Sequence, residues 1–166
     1  MTAFYGVLAF LIVQRLAELW LANRNTRRLL AEGAEEHGAS HYPFFVVLHT
    51  TWIVAMAVTV PAEGDIDLWL LGAFAVLQLL RVWVIASLGR FWTTRIVTVP
   101  GAPLVRRGPY RLYRHPNYLV VMGEIAVVPL MAGLWEIAVV FSVLNFALIL
   151  WRVRIEDLVL AERRAR

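Results

Sequence analysis

Between two apolar stretches runs Gly108-Pro109-Tyr110-Arg111-Leu112-Tyr113-Arg114-His115-Pro116-Asn117-Tyr118, a dense series of basic and aromatic residues. Proline lacks a backbone N–H and suits the first turn of a helix, so Pro116 is expected to open one. Its ring also excludes His115 from the helical region and leaves the imidazole at the entrance. A helix N-terminus presents unpaired N–H groups and partial positive charge, an anion site that Arg111 and Arg114 would strengthen for a carboxylate or phosphate. Tyr110, Tyr113 and Tyr118 add hydroxyls and the flat faces that receive a purine ring. The same arginines and tyrosines suit an interfacial belt anchoring a membrane bundle equally well.

A second cluster, Arg152, Arg154, Glu156, Asp157 and Leu160, closes a later apolar stretch. Arg152 and Glu156 are four apart and share one helix face, which Leu160 continues. A stabilising ion pair on a solvated helix end would use the same residues. Against that, arginine before glutamate is the less favourable order, and acids near a helix C-terminus oppose its dipole. A cation and an anion held together at membrane depth would complement an amino-acid zwitterion.

These clusters need elements to carry them. The 166 residues are 60% hydrophobic with mean hydropathy +0.66 and formal net charge +4, which points to a multi-pass membrane protein whose positive charge belongs to arginines on cytoplasmic loops and not to a nucleic-acid partner. The absence of cysteine excludes disulfides, thiolate metal sites and cysteine nucleophiles. A spanning helix needs about 20 mostly apolar residues. Five segments qualify, at residues 3–22, 43–61, 67–89, 117–133 and 134–153, the last two meeting in a tight hairpin at Ala132-Gly133-Leu134. The first carries Gln14, Arg15 and Glu18 and lacks a signal-peptide pattern, so it reads as a retained helix.

Arginine-rich short loops stay cytoplasmic. Arg24, Arg27 and Arg28 fall in segment 23–42, six arginines in segment 90–115, and Arg163, Arg164 and Arg166 in the tail, whereas the turn from Pro61 to Asp67 holds only Glu63, Asp65 and Asp67. The expectation is an all-α integral membrane protein, one domain over residues 1–166, with five transmembrane helices, the N-terminus outside and the C-terminus cytoplasmic. The long connector from Arg90 to His115 should fold as a cytoplasmic cap over the helix ends, with Thr94 to Val99 extended and a turn at Pro100-Gly101. Charges inside spans mark function by default, although pairing between helices is the commoner explanation for Arg15, Glu18 and Arg81. Glu124, two turns into the fourth span, and His49 are candidates for a second ligand's side of the site; a histidine flanked by Leu48 and Thr50 also suits a hydrogen-bonded core position. The tryptophans suit anchors or packing, and no metal-ligand pattern is present.

Taken together, Gly108-x-Tyr110 with Arg114-His115-Pro116-x-Tyr118, followed by Arg152-Val153-x-x-Glu156-Asp157-x-x-Leu160, resembles the isoprenylcysteine carboxyl methyltransferase family. The resemblance runs from about Leu88 to Leu160 and, through His41-Tyr42-Pro43, His49 and Trp52, extends to the short bacterial branch, some of whose members are similar to O-methyltransferases of lipidic polyketide products such as alkylpyrones and alkylresorcinols. It implies S-adenosyl-L-methionine as cofactor under the connector and a lipophilic acceptor entering from the bilayer, in a bacterial cytoplasmic membrane. Tyr110, Arg114, His115, Pro116 and Tyr118 would line the cofactor pocket, with Arg152 and Glu156 at the cofactor's amino-acid end and near the reacting centre. Asp157 stands where the family more often has a second glutamate, Leu119 where it has a small residue, and the chain ends soon after Leu160.

Methyl transfer from a sulfonium is an in-line displacement in which alignment and exclusion of water matter most. A carboxylate or acidic enol acceptor would need only steering by Arg152, whereas a phenol would need a base, for which His115 and Glu124 are candidates. Since the sulfonium charge disappears during transfer, Glu156 is expected on the cofactor's ammonium rather than its sulfur. Two other functions use the same residues. Membrane enone and sterol reductases with a nicotinamide cofactor share a similar Arg-His-Pro-Asn-Tyr segment, but their glutamate follows the tyrosine almost directly, and here Glu124 is six residues on. A non-enzymatic bundle would use the intramembrane charges as a pathway. The residues leave the acceptor's identity and the oligomeric state open.

Overall fold

The computed structural model describes residues 2–61 and 65–164, with side chains for residues 3–61 and 65–161. Glu63 and Arg166, and the side chains of Arg163 and Arg164, therefore lie outside the described residues. Five helices form: α1 (Thr2–Ala31), α2 (Tyr42–Thr59), α3 (Leu68–Leu88), α4 (Pro116–Leu130) and α5 (Trp135–Arg164). Four stretches, Ala3–Ala31, Ala39–Thr59, Leu68–Phe91 and Trp135–Ala161, are long and apolar enough to cross a membrane. The protein is thus a mostly helical integral membrane protein. The segment expected at 117–133 holds a helix of 15 residues, about 22 Å at ~1.5 Å per residue and short of a ~30 Å hydrocarbon core.

Two helices outrun the apolar stretches that announced them. α1 continues through Arg24, Arg27 and Arg28 to Ala31, because arginine, leucine and alanine are good helix formers even where the sequence stops being greasy. The first basic loop is consequently shorter than segment 23–42. α5 likewise runs on past residue 153, so Glu156 and Asp157 lie within the helix, and the argument that they oppose a C-terminal dipole does not apply.

The connections gather at two ends. At one, β1 (Glu35–His37) from the α1–α2 connection pairs antiparallel with β2 (Ile96–Thr98) from the α3–α4 connector, Glu36 opposite Val97. Glu36 also binds Arg95 at 3.1 Å, and His37 Nε2 meets Thr98 Oγ1 at 3.0 Å. At the other end, the Asp67 N–H donates to the Met131 carbonyl at 3.1 Å, joining the start of α3 to the α4–α5 turn. Asp67 caps α3 by accepting from the N–H groups of Trp69 and Leu70. The α4–α5 turn is as tight as expected, with Gly133 at φ +71° supplying the left-handed residue that stops α4.

The core lies where α2, α4 and α5 meet α1 and α3, built on Trp52, Met56, Phe4, Leu11, Ile125, Val128 and Phe141. Outer faces carry exposed apolar side chains such as Val58, Leu79, Val82 and Val143, as helices facing lipid do. Crossing this core, Arg15 and Glu18 of α1, Arg81 of α3 and Glu124 of α4 form one network. Glu124 is fully buried and accepts from Gln78 at 2.8 Å, from Arg81 at 2.9 and 2.5 Å, and from Arg15. Glu18 accepts from Arg15 at 2.9 Å and from Arg81 at 3.3 Å. Two cations meet two anions, which is how charge becomes tolerable at this depth.

Candidate active site

His115 sits immediately before α4 with φ −130° and ψ 60°, outside the helical region as its neighbour Pro116 requires. Pro116 itself is buried at the first helical position; it sets the entrance rather than lining it. One turn on, the Tyr118 hydroxyl donates to Glu156 Oε2 at 2.5 Å and accepts from Arg152 Nε at 2.7 Å. Arg152 and Glu156 share a face of α5, yet what joins them is the tyrosine of the neighbouring helix. His115 stacks on Tyr118, ring centres 5.3 Å apart, and approaches Glu156 at 3.7 Å and Asp157 at 3.4 Å. The Arg152 guanidinium also lies 5.6 Å from the ring centre of Phe45 on α2.

The connector closes over this group. Asn25 of α1 holds its start, donating to the carbonyls of Gly89 and Trp92 at 3.1 and 2.9 Å. Further on, Arg107 Nε donates to the Ser87 carbonyl at 2.7 Å. Gly108, at φ +56°, passes so close to α3 that a Cβ there would lie 2.1 Å from Ser87 Oγ, so only glycine permits that approach. The sequence segment then divides in two. Leu112 and Tyr113 point outward and are exposed, as interfacial anchors would be, whereas Tyr110, His115 and Tyr118 turn inward and Arg114, itself exposed, lies at the edge of the cavity they line. Burial, and secondarily the charge of Glu156, pushes the Tyr110 hydroxyl well above its ordinary range, so it serves as a neutral donor.

Two cavities meet here. A mixed polar and apolar one of about 460 Å³ lies under the connector, lined by Tyr110, Arg114, His115, Tyr118, Arg152 and Glu156 with Arg106 and Leu160. A largely apolar groove of about 470 Å³ runs between α1 and α2, with Leu16, Leu19, Val46 and Ile53 on its walls and Arg15, Glu18, His49 and Arg81 along it. Trp92, Thr93, Asn117, Tyr118 and Arg152 line both. The arrangement can hold a polar molecule on the capped side and present it, past Tyr118 and Arg152, to an apolar molecule in the groove.

Of the residues singled out in the sequence, Tyr110, Arg114, His115, Tyr118, Arg152 and Glu156 come together. Arg111 and Arg154 are exposed and line neither cavity. Glu124 is enclosed in the charge network away from His115, and His49 lies on the groove. Sequence reasoning missed Phe45 and Asn117, and it read Trp92 only as an anchor or packing residue. Phe45 lies in α2, one turn before His49, a spacing that marks a shared face but not the arginine it meets. Asn117, inside the conspicuous segment, carried the better signal.

A sequence model of the isoprenylcysteine carboxyl methyltransferase (ICMT) family matches residues 70–162, from α3 through both walls of the capped cavity. The chain belongs to that family. It is also 39% identical to the uncharacterized protein YpbQ of Bacillus subtilis over 163 residues, covering 96% of this chain and 97% of the relative. No solved structure matches it. Membership makes this a membrane methyltransferase by family, and the matched region leaves out the whole of α1 and α2, which form the apolar groove.

Proposed function

We propose that the protein is an S-adenosyl-L-methionine-dependent O-methyltransferase acting on a lipophilic acceptor drawn from the bilayer: a phenol, a pyrone enol or a carboxylate. The observation that carries this is the shared wall of Tyr118 and Arg152 between a capped polar cavity and an apolar groove. The capped side fits the cofactor by its donor set. Glu156 complements an ammonium, Arg114 and Arg152 a carboxylate, and the faces of His115, Tyr118 and Tyr110 an adenine ring. Two buried polar atoms at the junction, Trp92 Nε1 and Asn117 Oδ1, have no partner among the described residues, as expected of groups a ligand satisfies.

When bound, the cofactor supplies an electrophilic methyl group on a sulfonium. The chain's own residues bind, align and keep water out, and alignment alone accounts for several kcal/mol of such a barrier. The bond from Tyr118 and the nearby His115 fix Glu156, and Arg152 faces both cavities where it can steer an acceptor oxygen. The same reading has five crossings, N-terminus out and C-terminus in, in a bacterial cytoplasmic membrane. The gathering of connections at two ends supports it, as does the basic character of the end that carries the connector.

The test is a calorimetric titration of detergent-purified protein with S-adenosylmethionine, NADPH serving as the control. Binding is expected, weakened at least tenfold by Glu156→Gln, for loss of a charge-assisted partner worth roughly 1.5–3 kcal/mol. A folded protein that binds NADPH and not S-adenosylmethionine would overturn the proposal.

A further inference from the structure

We propose that His49 is the general base that takes the acceptor's proton, so that the groove serves acceptors arriving as neutral hydroxyls. This rests on the methyl-transfer reading of the site and concerns its other half.

Of the candidate bases, two are otherwise engaged. Glu124 is fully buried and saturated by Gln78, Arg81 and Arg15, with no lone pair directed to either cavity. His115 lines the capped cavity and lies between Glu156 and Asp157. His49 alone among the described histidines lines the apolar groove. Its Nδ1 lies 2.7 Å from the Phe45 carbonyl. A carbonyl only accepts, so Nδ1 carries the proton, and Nε2 of the neutral ring keeps its lone pair. The ring is held further by stacking on Phe45, centres 6.4 Å apart. Phe45 also meets Arg152, so the oriented imidazole and the arginine of the shared wall contact one aromatic ring along one groove.

The charged groups nearest the ring are already paired among themselves. Arg15 and Arg81, which also line the groove, bind Glu18 and Glu124, and the Tyr118 hydroxyl is committed to Glu156 and Arg152. An ionised carboxylate acceptor would need none of this machinery. A hydroxyl would: its O–H bond breaks and the proton passes to His49 Nε2. The oxygen's electron pair forms the new O–CH3 bond, and the methyl–sulfur bond breaks with its pair left on sulfur. The products are a methyl ether, a neutral thioether and an imidazolium, which resets by losing its proton to water.

The probe is a dodecyl-substituted nitrophenol, whose phenolate absorbs at longer wavelength than the phenol, titrated with pH while bound to the purified protein without cofactor. His49→Asn is the informative variant because its amide can keep the bond to the Phe45 carbonyl while removing Nε2, and His49→Gln serves if that variant does not fold. In the wild type the bound probe is expected to ionise with a dissociation constant at least tenfold larger than in the variant, where the apolar groove favours the neutral phenol. Equal constants in the two proteins, or no binding of the probe to the wild type, would overturn the inference. With S-adenosylmethionine added, the variant's kcat/KM ratio of dodecylphenol to the more acidic nitrophenol should fall at least tenfold, the lower range for a lost general base; an unchanged ratio counts against it. A shifted ionisation with no methyl transfer to either probe would instead sink the methyltransferase reading and leave proton acceptance by His49 standing.

Discussion

Tyr118 is the residue on which the site turns, because one hydroxyl both accepts from Arg152 and donates to Glu156. Tyr118→Phe removes both bonds and leaves the ring that stacks on His115. Arg152 and Glu156, four apart on α5, are then free to pair directly, so the fold should survive while both groups leave their working positions. The expected loss is about 1.5–3 kcal/mol, the range for hydrogen bonds to charged groups, read as a ten- to hundredfold fall in kcat/KM with little change in thermal unfolding. An unchanged rate would mean that Arg152 and Glu156 need no positioning. The participants were legible in the sequence: the spacing placed Arg152 and Glu156 on one face, and Pro116 predicted the non-helical His115. Their partnership was not, since an i to i+4 pair reads as an ion pair until a side chain from another helix intervenes. Glu124 shows the same limit, for an acid inside a span declares that it has a partner without saying that Arg15 and Arg81 lie on two different helices.

At the scale of elements, that buried network ties α1 and α3 to α4. The three helices meet it from different directions, and so it holds the α1 wall of the groove against α3 and α4. Removing one member strands the others' charge. Glu124→Ala should cost about 3–5 kcal/mol, whereas Arg81→Met combined with Glu124→Met should cost less than the sum of the two single changes. Thermal unfolding in detergent, run as a double-mutant cycle, measures both; additive losses would show that the two residues do not act as a pair. Periodicity and hydropathy located the elements well where apolar residues dominate, and the extended stretch at Thr94 to Val99 contains β2. They failed at the helix ends, where α1 and α5 continue into charged sequence that forms helix as readily as the apolar part. They could not find β1 at all. Glu35-Glu36-His37 has no strand character of its own, and becomes a strand because β2 offers it an edge and Arg95 offers Glu36 a counter-charge.

For the whole molecule, the decisive question is how a chain with four long apolar helices and one of 15 residues sits in a bilayer. The sheet of β1 and β2 fixes the α1–α2 and α3–α4 connections at one end, and the bond from Asp67 to Met131 fixes the other two connections at the opposite end. α4 therefore runs the full distance between the ends in the chain's path even though it is only about 22 Å long at ~1.5 Å per residue. A local thinning of a few ångströms is within what bilayers accommodate at fractions of a kcal/mol per ångström. The proposed orientation, which follows the positive-inside rule, turns the arginines of the connector toward the cytoplasm. Because the chain contains no cysteine, each introduced one is unique. Glu35→Cys and Ala102→Cys should be shielded from an impermeant maleimide in intact cells and react once the membrane is opened, whereas Asp65→Cys should react from outside. Labelling of Asp65→Cys and Ala102→Cys from the same side would contradict five crossings. Reversal of both would keep the five and invert the protein, placing the capped cavity away from the cytoplasm, where S-adenosylmethionine is made, and so removing the supply that the proposed methyl transfer at Tyr118 and Arg152 requires.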